Sequence, residues 1–435
     1  MEETVLFWFR RDLRMDDNHG LYKALKSGYK VIPIFVFDPH ILGQFEDKDN
    51  RQVDYIINAV FQLKNQLVEL NSDLKIFYDA PENVFNELLK TYNIKAVYAN
   101  EDFEPSTIKR DLDIADFLKS KNVNFRLFND HVVFAPGTIL KSDQTPYVVF
   151  TPFSKIWKQS LLPEMLTSYP VEELLQNLYH FEETSTFDFQ HIGFSFSLKK
   201  QKPIEIPISV IVNYHDTWNF PAIDKGTTKM GVHLRFGTIS IRKLVAEALI
   251  YNEVFLSELI WREFFIHILY HFPYVANQSF RNKYNSIVWN NNEKDFENWC
   301  IGNTGVPLVD AGMRELNQTG FMHNRVRMVV GSYLVKHLLI DWRWGEAYFA
   351  QKLIDFELSS NNGNWQWVAG TGCDAAPYFR IFNPYRQQER FDPKFEYIAK
   401  WVPDYQSEEY KKVFSLDLKM AKERCLKAYK ACGEE

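Results

Sequence analysis

Asp355, Glu357, Asn361, Asn362, Asn364, Trp365, Gln366 and Trp367 fall within one short stretch, and Asp374, Tyr378 and Arg380 follow closely. Acids and amides hydrogen-bond the edge of a polar ring system; indoles stack on its face or pass an electron. From Leu353 to Tyr385 the chain reads poorly as either helix or strand, because Asn, Ser and Gly stand where a periodic apolar face is needed. A hydrophobic core has no use for that mixture. A site that holds a flat polar ring system and moves electrons does.

Further constellations carry similar chemistry. Lys225-Gly226-Thr227-Thr228-Lys229-Met230-Gly231 combines glycines, hydroxyls and lysines, which suits a phosphate-binding turn. It also suits a plain helix start, with Thr as cap and Gly as turn. Glu258, Trp261 and Arg262 project from one helix face by their spacing, and an acid, an aromatic and a guanidinium together can read a heterocyclic base. The alternative is an intrahelical Glu–Arg pair over a half-buried Trp. Asn324, Arg327 and Met328 share another helix, where arginine suits phosphate and methionine gives a soft apolar contact; a solvated basic helix start is the alternative. Trp289, Trp299, Trp342, Trp344, Trp365 and Trp367 serve either as core filling or as a chain carrying an electron from surface to buried cofactor.

These side chains need a scaffold. Val5–Phe9, Val31–Phe37, Leu74–Tyr78, Ala96–Ala99 and Phe125–Phe128 are short apolar runs that predict strands. Between them Ile56, Ala59, Val60, Leu63, Leu67 and Leu70 recur at helical spacing, so a parallel sheet flanked by helices is expected. The loop after the first strand, Arg10-Arg11-Asp12-Leu13-Arg14, has no glycine fingerprint, which argues against a dinucleotide or P-loop site there. Beyond about Ile206 the pattern turns helical, over Leu234–Ile250, Val254–His271, Pro307–Asn317 and His323–Leu339. The expected organisation is an α/β domain over 1–131, a linker over 132–205 with polar stretches at 182–186 and 199–203, and an all-helical domain over 206–435.

The 435-residue length predicts more than one core. A net charge of −6 implies no global attraction to nucleic acid, so any DNA contact needs a local basic patch. Cys300, Cys373, Cys425 and Cys432 form no CxxC pair, the acidic start lacks a signal-type apolar run, and no stretch is long enough to span a bilayer. A cytoplasmic protein with reduced thiols, no membrane partner and no metal site is expected.

Taken in order, these blocks resemble the photolyase/cryptochrome family, and most resemble its class I cyclobutane pyrimidine dimer photolyases. The resemblance runs from Phe9-Arg10-Arg11-Asp12-Leu13-Arg14 to the aromatic-rich end. It rests most firmly on Asn361-Asn362-Gly363-Asn364-Trp365-Gln366-Trp367 followed by Asp374-Ala375-Ala376-Pro377-Tyr378-Phe379-Arg380. It implies a helical domain holding one non-covalent, U-shaped FAD, reduced in the active form. The implied activity is light-driven splitting of cyclobutane dimers, a carbon–carbon lyase reaction. The implied partner is UV-damaged DNA with the dimer flipped out, bound by a monomer.

By the same resemblance, Tyr214, Thr227, Thr228, Lys229, Met230 and Gly231 match the segment around the FAD phosphates and ribitol, with Phe255 and Arg262 nearby. Asn324, Arg327, Asp355 and Glu357 match residues beside the flavin and adenine, with Arg327 expected to pair with Asp355. Asn361 matches the residue facing flavin N5, where an amide favours the reduced anionic flavin. Glu258, Trp261, Asn324, Met328 and Trp367 match the dimer pocket. Trp365, Trp342 and Trp289 match an electron-transfer triad from flavin to surface. Arg325, Lys229, Arg380 and Arg386 are candidate phosphate contacts, which makes affinity fall with salt.

Some positions depart from the family pattern. Gly231 replaces a frequent serine, Lys229 a frequent arginine, and Trp218 an arginine that often meets DNA. Thr107 stands where folate-binding relatives carry glutamate, which leaves an antenna chromophore open between folate, deazaflavin, a flavin and none. The rival readings are a cryptochrome photoreceptor, a DASH-type enzyme preferring single strands, and an unrelated flavin oxidoreductase. A long C-terminal tail would favour the first, and little sequence follows the helical stretch around Leu416–Ala431.

Overall fold

The computed structural model describes residues 2–199, 204–413 and 416–433. Residues 200–203, the end of the second linker-like stretch, lie outside them. Five strands form one sheet: β1 (Glu3–Phe9), β2 (Lys30–Phe37), β3 (Lys75–Tyr78), β4 (Asn93–Asn100) and β5 (Asn124–Phe128). Their order is β3-β2-β1-β4-β5 and every pairing is parallel. In β1 the six residues from Thr4 to Phe9 are all buried, as expected for a strand covered on both faces. Helix α1 (Arg51–Glu69) covers one face with Val53, Ile57, Val60, Leu63 and Leu67, and the Asn50 side chain caps its first turn by accepting N–H groups of Gln52 and Val53.

The chain folds into two compact units that interleave along the sequence. One comprises Met1–Thr138, Lys158–Ile206 and Met230–Ile250; the other comprises Ile139–Trp157, Pro207–Lys229 and Tyr251–Glu435. Boundaries at 131 and 205 do not describe this division. Residues 132–205 contain a helix over Phe150–Ser160 and three 3-10 turns, and Val171, Leu178, Phe189, Ile192 and Phe194 join the core beside α1. These apolar residues are scattered without period, so their burial is invisible to a pattern search. Among the described residues all five strands lie in the first unit, and no helix is long and apolar enough to cross a membrane.

Two helical expectations are corrected. Leu234–Ile250 is not continuous: α2 (Gly231–Phe236) ends at Gly237 and α3 (Ile241–Tyr251) starts after it. Gly237 has φ +61°, and a Cβ there would lie 2.1 Å from the Arg11 carbonyl oxygen, so only glycine fits. The cap of α2 is Met230, without a side-chain hydrogen bond, rather than a threonine. His323–Leu339 likewise divides into an α-helix over Asn324–Ser332 and a π-helical turn over Tyr333–Leu338.

The stretch that reads poorly as helix also contains one, Leu358–Ala369. Its buried amides at Asn362 and Gln366 find partners outside the helix. Asn362 and Gln366 both donate to the Val275 carbonyl, and Gln366 also accepts the Phe280 N–H. Tertiary hydrogen bonds to an irregular backbone thus override weak local propensity.

Candidate functional site

Within the second unit, α4 (Glu253–His271), α5 (Asn324–Ser332), α6 (Trp342–Lys352) and α7 (Leu358–Ala369) line a cavity of about 390 Å³ together with the segment preceding α7. Glu258, Trp261 and Arg262 enter it from α4; Asn324, Arg325, Arg327 and Met328 from α5; Asn361, Trp365 and Trp367 from α7. Asp355 and Glu357 come from the preceding segment, and Trp218 also lines the cavity. Asn252 fixes the start of α4 by accepting the N–H groups of Val254 and Phe255. His323 starts α5: its Nδ1 accepts the Arg325 N–H, and burial beside Arg327 and Arg325 pushes it down to about 4, so the ring is neutral.

Two ion pairs set the polar side. Arg262 donates to Glu357 at 2.8 Å, nearly buried, and Arg327 donates to both oxygens of Asp355 at 2.9 and 3.2 Å. Arg327 also donates its Nε to the Met322 carbonyl at 2.7 Å, which fixes the plane of its guanidinium. The Glu258 that shares a helix face with Arg262 is not paired with it in this way. Burial pushes the Glu258 carboxyl up to about 7, so much of it is protonated at neutral pH and able to donate. Burial, and then the charge of Glu258, raise the nearby Tyr214 phenol.

Asn361 is oriented by a residue that sequence reasoning missed. Its amide nitrogen donates to the Glu346 carbonyl at 3.1 Å and to Glu346 Oε1 at 2.8 Å. With the NH₂ held there, Oδ1 is the free end of the side chain, an acceptor for a ring N–H. Burial also raises Glu346 to about 7. Phe150 was missed too: it stacks on Trp261 with ring centroids 3.7 Å apart and planes 5° apart, so Trp261 has one face left for a ligand. No local signal marks Glu346 or Phe150, since each acts through a partner distant in sequence.

Trp365 is buried against Phe349 at 5.0 Å and Trp299 at 6.2 Å, both edge-on. Trp342 is buried in the same cluster and Trp289 is half-buried at its border. Gly345 makes room for the Trp365 indole, because a Cβ there would lie 2.2 Å from Cη2. Gly345→Ala is therefore expected to cost roughly 1–3 kcal/mol through overpacking. Denaturant unfolding measures this; an unchanged midpoint would show that the indole shifts freely.

Other expected residues lie off this cavity. Phe255 is buried edge-on to Tyr214. Thr227 and Thr228 are half-buried, whereas Lys229 is exposed, with φ +54° and an ion pair to Asp224 at 3.2 Å. Met230 and Gly231 belong to the other compact unit. Arg380 and Arg386 are exposed outside the lining. Arg325 lies 4.3 Å over Phe391, with Asn219 accepting from its Nε; burial, and then the charges of Arg390 and Arg380, lower its pKa. A positive cluster thus borders the cavity.

Residues 5–172 match the family described as DNA photolyase, and residues 255–431 match the FAD binding domain of DNA photolyase. The chain is 37% identical over 433 residues to the deoxyribodipyrimidine photo-lyase of Vibrio cholerae, covering 92% of this chain and 90% of that one. It superposes on a bacterial class III photolyase from Agrobacterium tumefaciens with TM-score 0.86 and 29% identity, over 99% and 98% of the two chains. An archaeal photolyase from Sulfolobus tokodaii, solved with two FAD molecules, gives TM-score 0.80 and 31% identity over 98% and 100%.

Proposed function

Because the chain belongs to the photolyase/cryptochrome family, we propose that it repairs DNA by splitting cyclobutane pyrimidine dimers with a light-driven electron from bound FAD. The observation that carries this reading is the single cavity that gathers Glu258, Trp261, Met328, Asn361 and Trp367. Guanidiniums, carboxylates, an amide and indoles around one cavity fit a flat polar ring system.

Arg262, Arg327, Asp355 and Glu357 would hold the polar parts of FAD, with Asn324 beside them. Tyr214, Thr227, Thr228, Lys229, Met230, Gly231 and Phe255 are assigned to its phosphates and ribitol on the family resemblance. When bound and reduced, FAD supplies the photoexcited electron and recovers it after ring opening. Asn361 offers its oxygen as an acceptor and no acidic proton, which favours the form of the ring carrying N–H. Glu258 donates its O–H to a pyrimidine carbonyl, stabilising charge that develops there.

Trp261, backed by Phe150, and Trp367 stack on the extruded dimer, a contact worth roughly 1–3 kcal/mol per base. Met328 fills the gap between polar groups. Arg325, Arg380, Arg386 and Lys229 meet backbone phosphates. Trp365, Trp342 and Trp289 carry electrons inward when oxidised flavin must be reduced.

The test is illumination of pre-reduced protein with duplex DNA containing cyclobutane dimers, where restoration of the pyrimidines is expected. Repair confined to single strands would favour the DASH-type reading, and no repair on either would favour a photoreceptor. An absorption spectrum of the same sample identifies any second chromophore.

A further inference from the structure

The arginines that line the cavity, Arg262, Arg325 and Arg327, are held in different ways. Arg262 pairs with Glu357 and Arg327 with Asp355, so a carboxylate sits against each of those guanidiniums. Arg325 has a neutral partner instead. Its Nε donates to Asn219 Oδ1 at 3.1 Å, and its Nη2 donates to the same oxygen. A guanidinium only donates, so it is the oxygen of Asn219 and not its nitrogen that faces Arg325. The other three N–H groups of this guanidinium, two on Nη1 and one on Nη2, have no acceptor among the described residues.

Aromatic rings hold the same guanidinium from its sides. Its Cζ lies 4.3 Å from the centre of the Phe391 ring and 5.9 Å from that of Trp218. Trp218 is stacked in turn on Tyr214, with centroids 6.3 Å apart and planes 16° apart, and Phe391 meets Phe220 edge-on at 6.3 Å. The backbone is held as well, because His323 Nδ1 accepts the Arg325 N–H at the start of α5. Trp218 thus supplies a flat wall without adding charge to a cluster in which Arg390 and Arg380 already oppose the Arg325 cation.

We propose that Asn219 is a positioning residue for DNA binding, presenting Arg325 as a fixed and un-neutralised cation to one phosphate of the strand that carries the lesion. This rests on the reading of Arg325 as a phosphate contact. A carboxylate at 219 would hold the same geometry and cancel the charge, so a phosphate would meet a neutral pair with an anion beside it. An amide fixes the plane of the guanidinium and leaves its full charge for the phosphate. A side chain ordered before DNA arrives also loses little rotamer freedom on binding. Arg262 and Arg327, each already against a carboxylate, do not offer this.

Binding of FAD-loaded full-length protein to a duplex with one cyclobutane dimer, measured in the dark over a range of salt concentrations, tests this. Arg325→Met should lower the slope of log affinity against log salt by about 0.9, the effect of one phosphate contact. Asn219→Asp has nearly the same shape; it should lower the slope by a similar amount and weaken binding at low salt by at least about tenfold. Asn219→Ala keeps the charge and frees the guanidinium, so the slope should hold while affinity falls about threefold to tenfold. In the Arg325→Met background, Asn219→Ala should cost nothing further, whereas a merely structural role predicts the same loss in both backgrounds. Bound-flavin absorption reports that each variant is folded. An unchanged slope in Asn219→Asp, or an undiminished cost of Asn219→Ala in the Arg325→Met background, overturns the proposal alone. An unchanged slope in Arg325→Met overturns the phosphate reading of Arg325 and this proposal with it.

Discussion

Trp365→Phe is expected to slow photoreduction of the bound oxidised flavin by at least about 100-fold, a barrier increase of roughly 2.7 kcal/mol. Trp365 lines the cavity one helical turn from Asn361, so both side chains project from the same face of α7. A benzene ring fills most of the indole's space but is far harder to oxidise, so it cannot host the hole. Repair by pre-reduced protein should survive, because the donor and the lesion then need no electron from the protein. Transient absorption measures the first effect and a dimer-repair assay the second. The substitution also leaves space beside Phe349 and Trp299, so flavin content must be matched before rates are compared. Undiminished photoreduction would remove Trp365 from the path.

Glu258→Ala is expected to lower the repair yield by roughly 10²–10³ if the carboxyl acts as a preorganised donor to developing charge. FAD should remain bound, since Arg262 pairs with Glu357 rather than depending on Glu258. The pH dependence has a definite sign. Burial raises the Glu258 carboxyl from its ordinary range to about 7, so the donating form dominates below that value and is lost above it. Repair yield should fall as pH rises through about 7, and Glu258→Gln, which keeps an N–H donor and cannot titrate, should flatten the profile. Stability follows the same direction: the raised carboxyl favours the folded state at low pH, and that contribution is lost as pH rises through the folded pKa. A yield unchanged in Glu258→Ala, or a profile unaltered in Glu258→Gln, would deny Glu258 this role.

Much of the scaffold was legible because it is written in local periods. The five strands are short apolar runs, α1 repeats apolar residues at helical spacing, and α4 is a long stretch apolar nearly all round; such patterns depend only on neighbours in the chain. Helix α7 was not legible, since its amides become favourable only when the backbone at Val275 and Phe280 arrives to meet them. The phosphate-turn residues illustrate the reverse case. Their composition suggested one compact motif, yet the chain passes between units at Lys229 and Met230.

By itself the sequence determined which chemical groups exist and, through Asn361-Asn362-Gly363-Asn364-Trp365-Gln366-Trp367, which family they belong to. Tertiary structure alone decided how those groups are presented. Glu346 turns the Asn361 oxygen outward, Phe150 covers one face of Trp261, and Asn219 holds the Arg325 guanidinium. Each partner lies far enough along the chain that no period links the two. Protonation was likewise decided by burial, because it is the loss of water around Glu258 and Glu346 that moves both toward neutrality.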